Sequence, residues 1–273
     1  MSRPMQLAGR TAVVTGAASG IGRAIAVSLA RRGCHLALAD LNAAGLEETA
    51  GFVGAAGIRV SRHVLDVGSR EEVAALPARV LVEHPGVDVL VNNAGVALGG
   101  SFEQVSEEDF DWLLSINFFG VVRMTRAFLP LLHRSADARL VNLSSIFGII
   151  APPGQTAYVA SKFAVRGFSE SLRHELAGST VGVTVVHPGG VRTSIAQNAR
   201  ISRAASDDEV QRRRARFQKA LVLAPEVAGE TIVAGFEHRH VRVLVGSDAK
   251  AASVLERLLP VSYWRLIASR LGK

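Results

Sequence analysis

Two kinds of patterning alternate along this chain. Short β-branched and apolar runs occupy 11–15 (TAVVT), 35–39 (HLALA), 59–65, 87–91, 139–143, 183–187 and 242–245. Each reads as a strand. Between them, apolar positions recur at helical spacing. Ile21, Ile25 and Leu29 open the first such stretch, and 42–56, 69–84, 106–132, 156–176 and 225–238 follow. Ser69 stands ahead of Glu71 and Glu72, and Ser106 ahead of Glu107, Glu108 and Asp109. Both arrangements are those of an N-cap followed by an acidic first turn. Six strands alternating with helices, then a seventh, predict an α/β fold: a doubly wound, parallel, seven-stranded sheet in a single domain. Sheets of this kind bind ligands beyond the carboxyl ends of their strands.

The residues at those carboxyl ends narrow the chemistry. The first strand runs into Gly16, Gly20 and Gly22, with Ser19 and Ile21 interleaved. Strand, glycine turn and helix bring free amides and the positive end of a helix dipole to a pyrophosphate; a plain turn is the bland alternative. The second strand ends at Asp40. An acidic residue there accepts hydrogen bonds from an adenosine ribose diol and repels a 2′-phosphate. Neither Ser19 nor Asn42 is basic, so the expected cofactor is NAD(H) in preference to NADP(H). The competing role for Asp40 is to cap the next helix. The third strand closes with Asp66 and Val67, where an adenine would lie. The fourth is followed by Asn92, Asn93, Ala94 and Gly95, small and amide residues suited to a crevice. The sixth ends in Pro188, Gly189, Gly190, Val191, Arg192 and Thr193, a rigid turn placed to lie against a flat ring.

The reacting groups are expected in 144–162, SSIFGIIAPPGQTAYVASK. Tyr158 and Lys162 are four residues apart and share one face of a helix. A phenol ordinarily titrates near 10, and an ammonium one turn away favours its phenolate, which makes the pair a candidate proton-transfer device. Ser145 lies upstream, beyond a loop broken by Pro152, Pro153 and Gly154. Asn117 sits among apolar neighbours (SINFFG), where a buried amide needs partners, structural or functional. His174, Glu175 and His187 lack metal-ligand spacing and read as structural, so no metal site is expected.

Composition sets limits. At 273 residues, with 48% apolar and 20% charged residues, the chain is long enough to bury a sizeable core. Its one cysteine, Cys34, excludes an internal disulfide, reads as a buried filler and fits a reducing cytoplasm. The opening MSRPMQLAGR has no apolar leader character, and no run is long enough to span a bilayer. The net charge of +7 raises nucleic acid as a partner, but the arginines are scattered, aromatics make up 5%, and no nucleic-acid motif is present.

Taken in order, Thr15-Gly16-x-x-x-Gly20-x-Gly22, Asn92-Asn93-Ala94-Gly95, Asn117, Ser145, Tyr158-x-x-x-Lys162 and Pro188-Gly189 resemble the short-chain dehydrogenase/reductase family, over roughly residues 7–245. The resemblance implies a Rossmann-type sheet and a catalytic tetrad of Asn117, Ser145, Tyr158 and Lys162. The family's spacing of thirteen residues to the tyrosine selects Ser145 over Ser144. It also implies that Lys162 holds the nicotinamide ribose, that Asn117 helps hold a water in a proton relay, and that Thr193 and the backbone of Val191 meet the carboxamide. The implied reaction is hydride transfer between a nicotinamide and an alcohol or ketone. Val96, Leu98, Ile146, Phe147, Ile149, Pro152, Val191 and Ile195 are candidate pocket residues, nearly all apolar, which favours a lipophilic substrate. The alternatives are a regulator that binds NADH without turnover and a membrane-peripheral interaction protein.

Two segments depart from the family pattern. Residues 195–224 are arginine-rich and expected as a helical flap. Residues 249–273 follow the 1–248 dinucleotide-binding and catalytic domain as a helical tail, expected to pack on that domain or on a neighbour. Leu258, Leu259, Trp264 and Leu266 beside Arg257, Arg265 and Arg270 make peripheral membrane contact the sharper alternative for the tail. It also puts the family's usual tetramer in doubt, so the expected assembly is at least a homodimer, or a homotetramer, through the helices bearing Asn117 and Tyr158.

Overall fold

A computed structural model describes residues 3–54, 57–195, 197–202 and 221–270. Its first half alternates strictly: β1 (Thr11–Thr15), α1 (Gly20–Arg31), β2 (His35–Asp40), α2 (Ala43–Val53), β3 (Val60–Val64), α3 (Arg70–Glu83) and β4 (Val89–Asn92). The expected caps form. Ser69 Oγ accepts from Glu72 N at 3.2 Å, and Ser106 Oγ from Asp109 N at 3.1 Å. Asp40 and the helix after it share the capping work: Asn42 caps α2 through Gly45 N, while Asp40 Oδ1 accepts from Asn42 N at 2.9 Å.

The second half is less regular. A two-residue strand β5 (Leu98–Gly99) precedes α4 (Glu107–Leu114), a π turn (Ser115–Phe119) and α5 (Gly120–Leu132). The single long helix expected over 106–132 is thus interrupted by a wider turn, and that turn carries Asn117. Then come β6 (Ala138–Leu143), a short 3-10 turn (Ile146–Gly148), α6 (Thr156–Glu175), β7 (Val181–Pro188), β8 (Arg200–Ile201), α7 (Pro225–Glu237), β9 (Arg242–Val245), α8 (Ser247–Leu258) and α9 (Tyr263–Arg270). The expected flap lies largely in 203–220, outside the described residues. Its described flanks pair instead as strands: β8 with β5, and Leu223 in a bridge with Val191.

Seven strands form one parallel sheet in the order β3-β2-β1-β4-β6-β7-β9. The order reverses between β1 and β4, and that reversal opens the crevice where doubly wound sheets take their ligands. Alternate strand residues feed two cores. Val14, Val91 and Val141 face Ile25, Leu29, Leu46 and Phe236. Val13, Leu90 and Leu140 face Val73, Leu76, Met124, Phe128 and Leu132. Burial on both faces explains why these runs are continuously apolar rather than alternating. The C-terminal helices lie on the same domain, with Ala252, Tyr263 and Ile267 against Ile146, Phe147, Ile149 and Ile150.

Three histidines are buried without charge. His63 Nε2 and His84 Nε2 lie 2.8 and 2.9 Å from the one Ser61 hydroxyl, and His187 is fully buried. Burial pushes His63 and His187 down to about 4 and lowers His84 as well. An unfolded imidazole titrates near 6.5, so below that pH the unfolded chain binds protons the fold refuses, and stability falls as pH drops toward 4. We expect Tm to be flat above pH 7.5 and to fall by roughly 5 °C or more between pH 7 and 5, as a loss of a few kcal/mol implies. Differential scanning fluorimetry across that range checks this, and a Tm unchanged at pH 5 contradicts it.

Candidate active site

The glycine turn between β1 and α1 is shaped by what it excludes. Gly16 and Gly20 have φ of +66° and +53°, in the left-handed region that side chains disfavour. A Cβ on Gly22 would run into the Gly16 carbonyl and the Asn93 amide. A Cβ on Gly20 would stand 3.0 Å from the Thr193 methyl, so the glycine turn and the turn after β7 touch. Ser19 precedes α1 with an extended backbone and no side-chain cap. The first amides of α1, at Gly20, Ile21 and Gly22, therefore have no intrahelical acceptor and are offered outward. This cradle fits a dinucleotide's pyrophosphate.

At the end of β2, Asp40 is half-buried and its Oδ2 accepts from Ala18 N at 3.0 Å. One carboxylate thus ties the glycine turn to the end of β2 and keeps lone pairs for a further donor. Asp66 is turned into its own loop, with Oδ1 accepting from Gly68 N at 2.7 Å. Val67 is buried in the second core and stands against Gly120.

Asn93 closes the crevice at the strand-order reversal. Its Nδ2 donates to the carbonyls of Thr15 and Gly16 at 3.0 and 3.1 Å. Thr15 Oγ1 accepts from the amides of Asn93 and Ala94 at 3.0 and 3.1 Å. Asn92 points the other way, donating to Asn142 Oδ1 at 2.9 Å and Thr125 Oγ1 at 3.2 Å in a buried polar chain that continues to Ser169. The sequence reading missed that chain, because amides on paired strands find each other only through register: Asn92 lies opposite Asn142.

Four side chains converge beyond β4 and β6. Asn117, fully buried, clamps the Val96 peptide: Oδ1 accepts from its N–H at 2.8 Å and Nδ2 donates to its C=O at 3.0 Å. Gly95 lies between Asn117 and Lys162; a Cβ there would be 3.1 Å from Asn117 Oδ1 and 3.6 Å from Lys162 Nζ. Lys162, on α6, donates to Leu143 O at 3.1 Å, and its Nζ stands 5.6 Å from the centre of the Tyr158 ring. The Ser145 side chain is close enough to Tyr158 to favour its phenolate, and Phe147 packs edge-on to the Tyr158 ring at 6.2 Å. Ser144 points away, donating to Lys162 O at 2.8 Å, so Ser145 is the serine turned toward the tyrosine. On the opposite wall, Pro188 ends β7, Gly189 N donates to Val245 O at 2.9 Å, and Val191 is buried.

The electrostatics correct one expectation. The sequence predicts a phenol made more acidic by Lys162. Here burial raises the Tyr158 pKa, and the Ser145 side chain offsets this only in part. Burial also lowers Lys162 to about 8. Burial acts in opposite directions on the two because it disfavours the charged form of each, a phenolate and an ammonium.

A doubly wound parallel sheet with a phosphate-shaped glycine turn and a Ser–Tyr–Lys cluster at its carboxyl edge defines a nucleotide-dependent oxidoreductase. The chain belongs to the short-chain dehydrogenase/reductase family: residues 10–204 match the short chain dehydrogenase family. It is 44% identical over 269 residues to SadH of Mycobacterium tuberculosis, whose name carries the word oxidoreductase, covering 97% of this chain and 96% of that one. A short-chain dehydrogenase/reductase from Burkholderia phymatum solved in complex with NAD superposes with a TM-score of 0.85 at 31% identity, over 93% of this chain and 95% of that one. An alcohol dehydrogenase from Thermococcus sibiricus, complexed with 5-hydroxy-NADP, superposes with a TM-score of 0.73 at 30% identity, over 87% and 94%.

Proposed function

We propose that this protein is an NAD(H)-preferring dehydrogenase/reductase of secondary alcohols and ketones with lipophilic substituents. The cluster in which Asn117 and Lys162 meet at Gly95, Tyr158 stands beside Lys162, and Ser145 acts on Tyr158 is the observation that carries the reading. A bound dinucleotide supplies the hydride acceptor or donor. Gly16, Ser19, Gly20, Ile21 and Gly22 would hold its pyrophosphate, Asp40 its adenosine ribose, Asp66 and Val67 the adenine side, and Asn93, Ala94 and Gly95 the floor. Pro188, Gly189, Val191 and Thr193 would border the nicotinamide.

The chain's own groups handle the proton. Ser145 Oγ donates to the substrate oxygen and stabilises the charge that gathers there. Tyr158 Oη gives a proton to that oxygen in reduction and takes one in oxidation. Lys162 contributes its charge beside Tyr158 and would hold the nicotinamide ribose. Asn117 holds the Val96 peptide and so the crevice wall, next to the water it would share with Lys162. A panel of secondary alcohols and ketones followed by NADH absorbance tests the reading. Turnover of none of them, with NADH bound, would leave the regulator as the better account.

The apolar wall argues for the substrate class. Ile146, Phe147 and Ile149 line the loop between Ser145 and Tyr158, and Tyr263 and Ile267 of the tail back them. Val254, Leu258, Val261 and Leu266 remain exposed on α8, α9 and the turn between them, beside Arg257 and Arg265. That face favours peripheral contact with an anionic membrane, from which a lipophilic substrate enters. Among the described residues no helix is long and apolar enough to cross a membrane. Full-length protein is expected to co-sediment with anionic liposomes severalfold more than a version ending at residue 248; equal recovery removes the membrane role. Phe119 and Phe163 are exposed on the helical segments carrying Asn117 and Tyr158, which favours a homodimer or homotetramer there. A monomer at micromolar concentration in analytical ultracentrifugation would rule that assembly out.

A further inference from the structure

The parallel pairing of β6 and β7 ends at Leu143, two residues before Ser145. The last strand partners are Leu143 and Val186, and the last main-chain bond is Ser144 N–H to Val186 O at 2.8 Å. The next link between the two segments is made by a side chain. His187 Nδ1 lies 2.9 Å from the Ser145 carbonyl. The same carbonyl accepts from Gly148 N at 2.9 Å, so both of its acceptor directions are used. Ser145 itself is extended, at φ −164° and ψ 168°, and its Oγ accepts from Phe147 N at 3.1 Å. His187 is also the residue before Pro188. One imidazole thus joins the turn that carries the serine hydroxyl to the turn that borders the nicotinamide.

The choice of residue supports a specific use of Nδ1. A carbonyl accepts only, so the bond requires the proton on Nδ1, which leaves Nε2 as a lone pair. His187 is fully buried, and its Nε2 has no partner among the described residues. A buried unpaired nitrogen is costly, and a valine like Val185 or Val186 beside it would avoid that cost. The position retains a half-satisfied imidazole for the half that reaches Ser145.

We propose that His187 is a positioning residue for the proposed reaction: its Nδ1–H holds the Ser145 peptide so that the serine hydroxyl meets both Tyr158 and the substrate oxygen. This rests on the oxidoreductase reading above. His187 touches neither substrate nor dinucleotide. It acts through the Ser145 main chain.

Three substitutions separate placement from packing. His187→Asn keeps an N–H next to Cγ, where Nδ1 stands. His187→Gln moves the donor outward, and His187→Leu removes it. Misplacing a reacting group by an ångström costs on the order of 100-fold. We expect kcat to fall roughly 10- to 100-fold in the Leu and Gln variants on that scale. The NADH dissociation constant, read by fluorescence, should stay within about twofold of wild type, and the Asn variant should recover most of kcat. Asn no better than Leu, Leu as active as wild type, or a loss confined to dinucleotide KM would each overturn the proposal. Should the Leu variant not fold, the Asn and Gln pair carries the comparison. Nitrogen-15 NMR of labelled histidine needs no turnover: His187 must appear as the Nδ1–H tautomer from pH 6 to 8, and the Nε2–H form refutes the placement. Failure of the wild type on every alcohol and ketone would count against the oxidoreductase reading, while the tautomer still decides where His187 holds Ser145.

Discussion

Tyr158→Phe should lose on the order of 10²- to 10⁴-fold in kcat, the usual worth of a positioned acid or base, or about 3–5 kcal/mol of barrier. NADH binding should stay within a factor of about two, because phenylalanine keeps the ring that packs against Phe147 and removes only the oxygen. The direction of pH dependence follows from burial. Tyr158 is held above the ordinary phenol value, so at neutral pH it carries its proton and stands ready as an acid. Ketone reduction should therefore be near its maximum at pH 6–7 and decline as pH rises. Alcohol oxidation, which needs the proton removed, should rise with pH toward 10. The variant should lose both limbs. Stopped-flow NADH absorbance with any turned-over substrate pair measures this, and a kcat within threefold of wild type would remove Tyr158 from the chemistry.

How much of this was legible in the chain depends on the range of the interaction. The seven strands of the parallel sheet showed in the sequence, most of them because continuous β-branched runs report burial on both faces, a local property; β5 and β8, two residues each, left no such mark. The caps at Ser69 and Ser106 are local as well. Asn117 was visible as a polar residue in apolar surroundings, but the π turn that aims it was not. One added residue in the turn Ser115–Phe119 shifts the phase of the helix, and nothing in SINFF marks it. The acidity of Tyr158 was misjudged for a related reason. Spacing of four residues reports that Lys162 is near; it does not report that the tertiary fold buries both groups enough to disfavour their charged forms. His187 reads from the sequence as merely structural because its partner is a main-chain carbonyl 42 positions away, brought near only where two strands stop pairing. Asp248, whose Oδ2 accepts from Gly190 N at 2.7 Å at the start of α8, was hidden in the same way.

Cofactor choice should turn on Asp40, and here the expected effect is nearly as large. Its carboxylate is already aimed, tied to Ala18 N and Asn42 N, and both bonds hold it at the mouth where the adenosine ribose would lie. Hydrogen bonds from a ribose diol to a charged acceptor are worth about 1.5–3 kcal/mol. A 2′-phosphate in the diol's place meets that charge at close range. Two unit charges about 4 Å apart at an effective dielectric of 20 repel by about 4 kcal/mol, less with salt. Arg23, which reaches the Ala18 carbonyl, is itself occupied by Glu48 at 2.7 Å and Thr49 at 2.9 Å. The wild type should therefore show kcat/KM at least about 100-fold higher with NAD(H) than with NADP(H), the equivalent of roughly 3 kcal/mol. Asp40→Asn keeps one acceptor oxygen, enough for Ala18 N, while losing the charge and the second acceptor that meets Asn42 N, so it should narrow that ratio about 10-fold or more, mainly by raising the rate with NADP(H) relative to NAD(H). Asp40→Ala also removes the tether on the glycine turn and should cost activity with both cofactors. A wild type that prefers NADP(H), or an Asn variant with an unchanged ratio, would mean that Asp40 serves the turn alone and that selectivity is set elsewhere along the crevice.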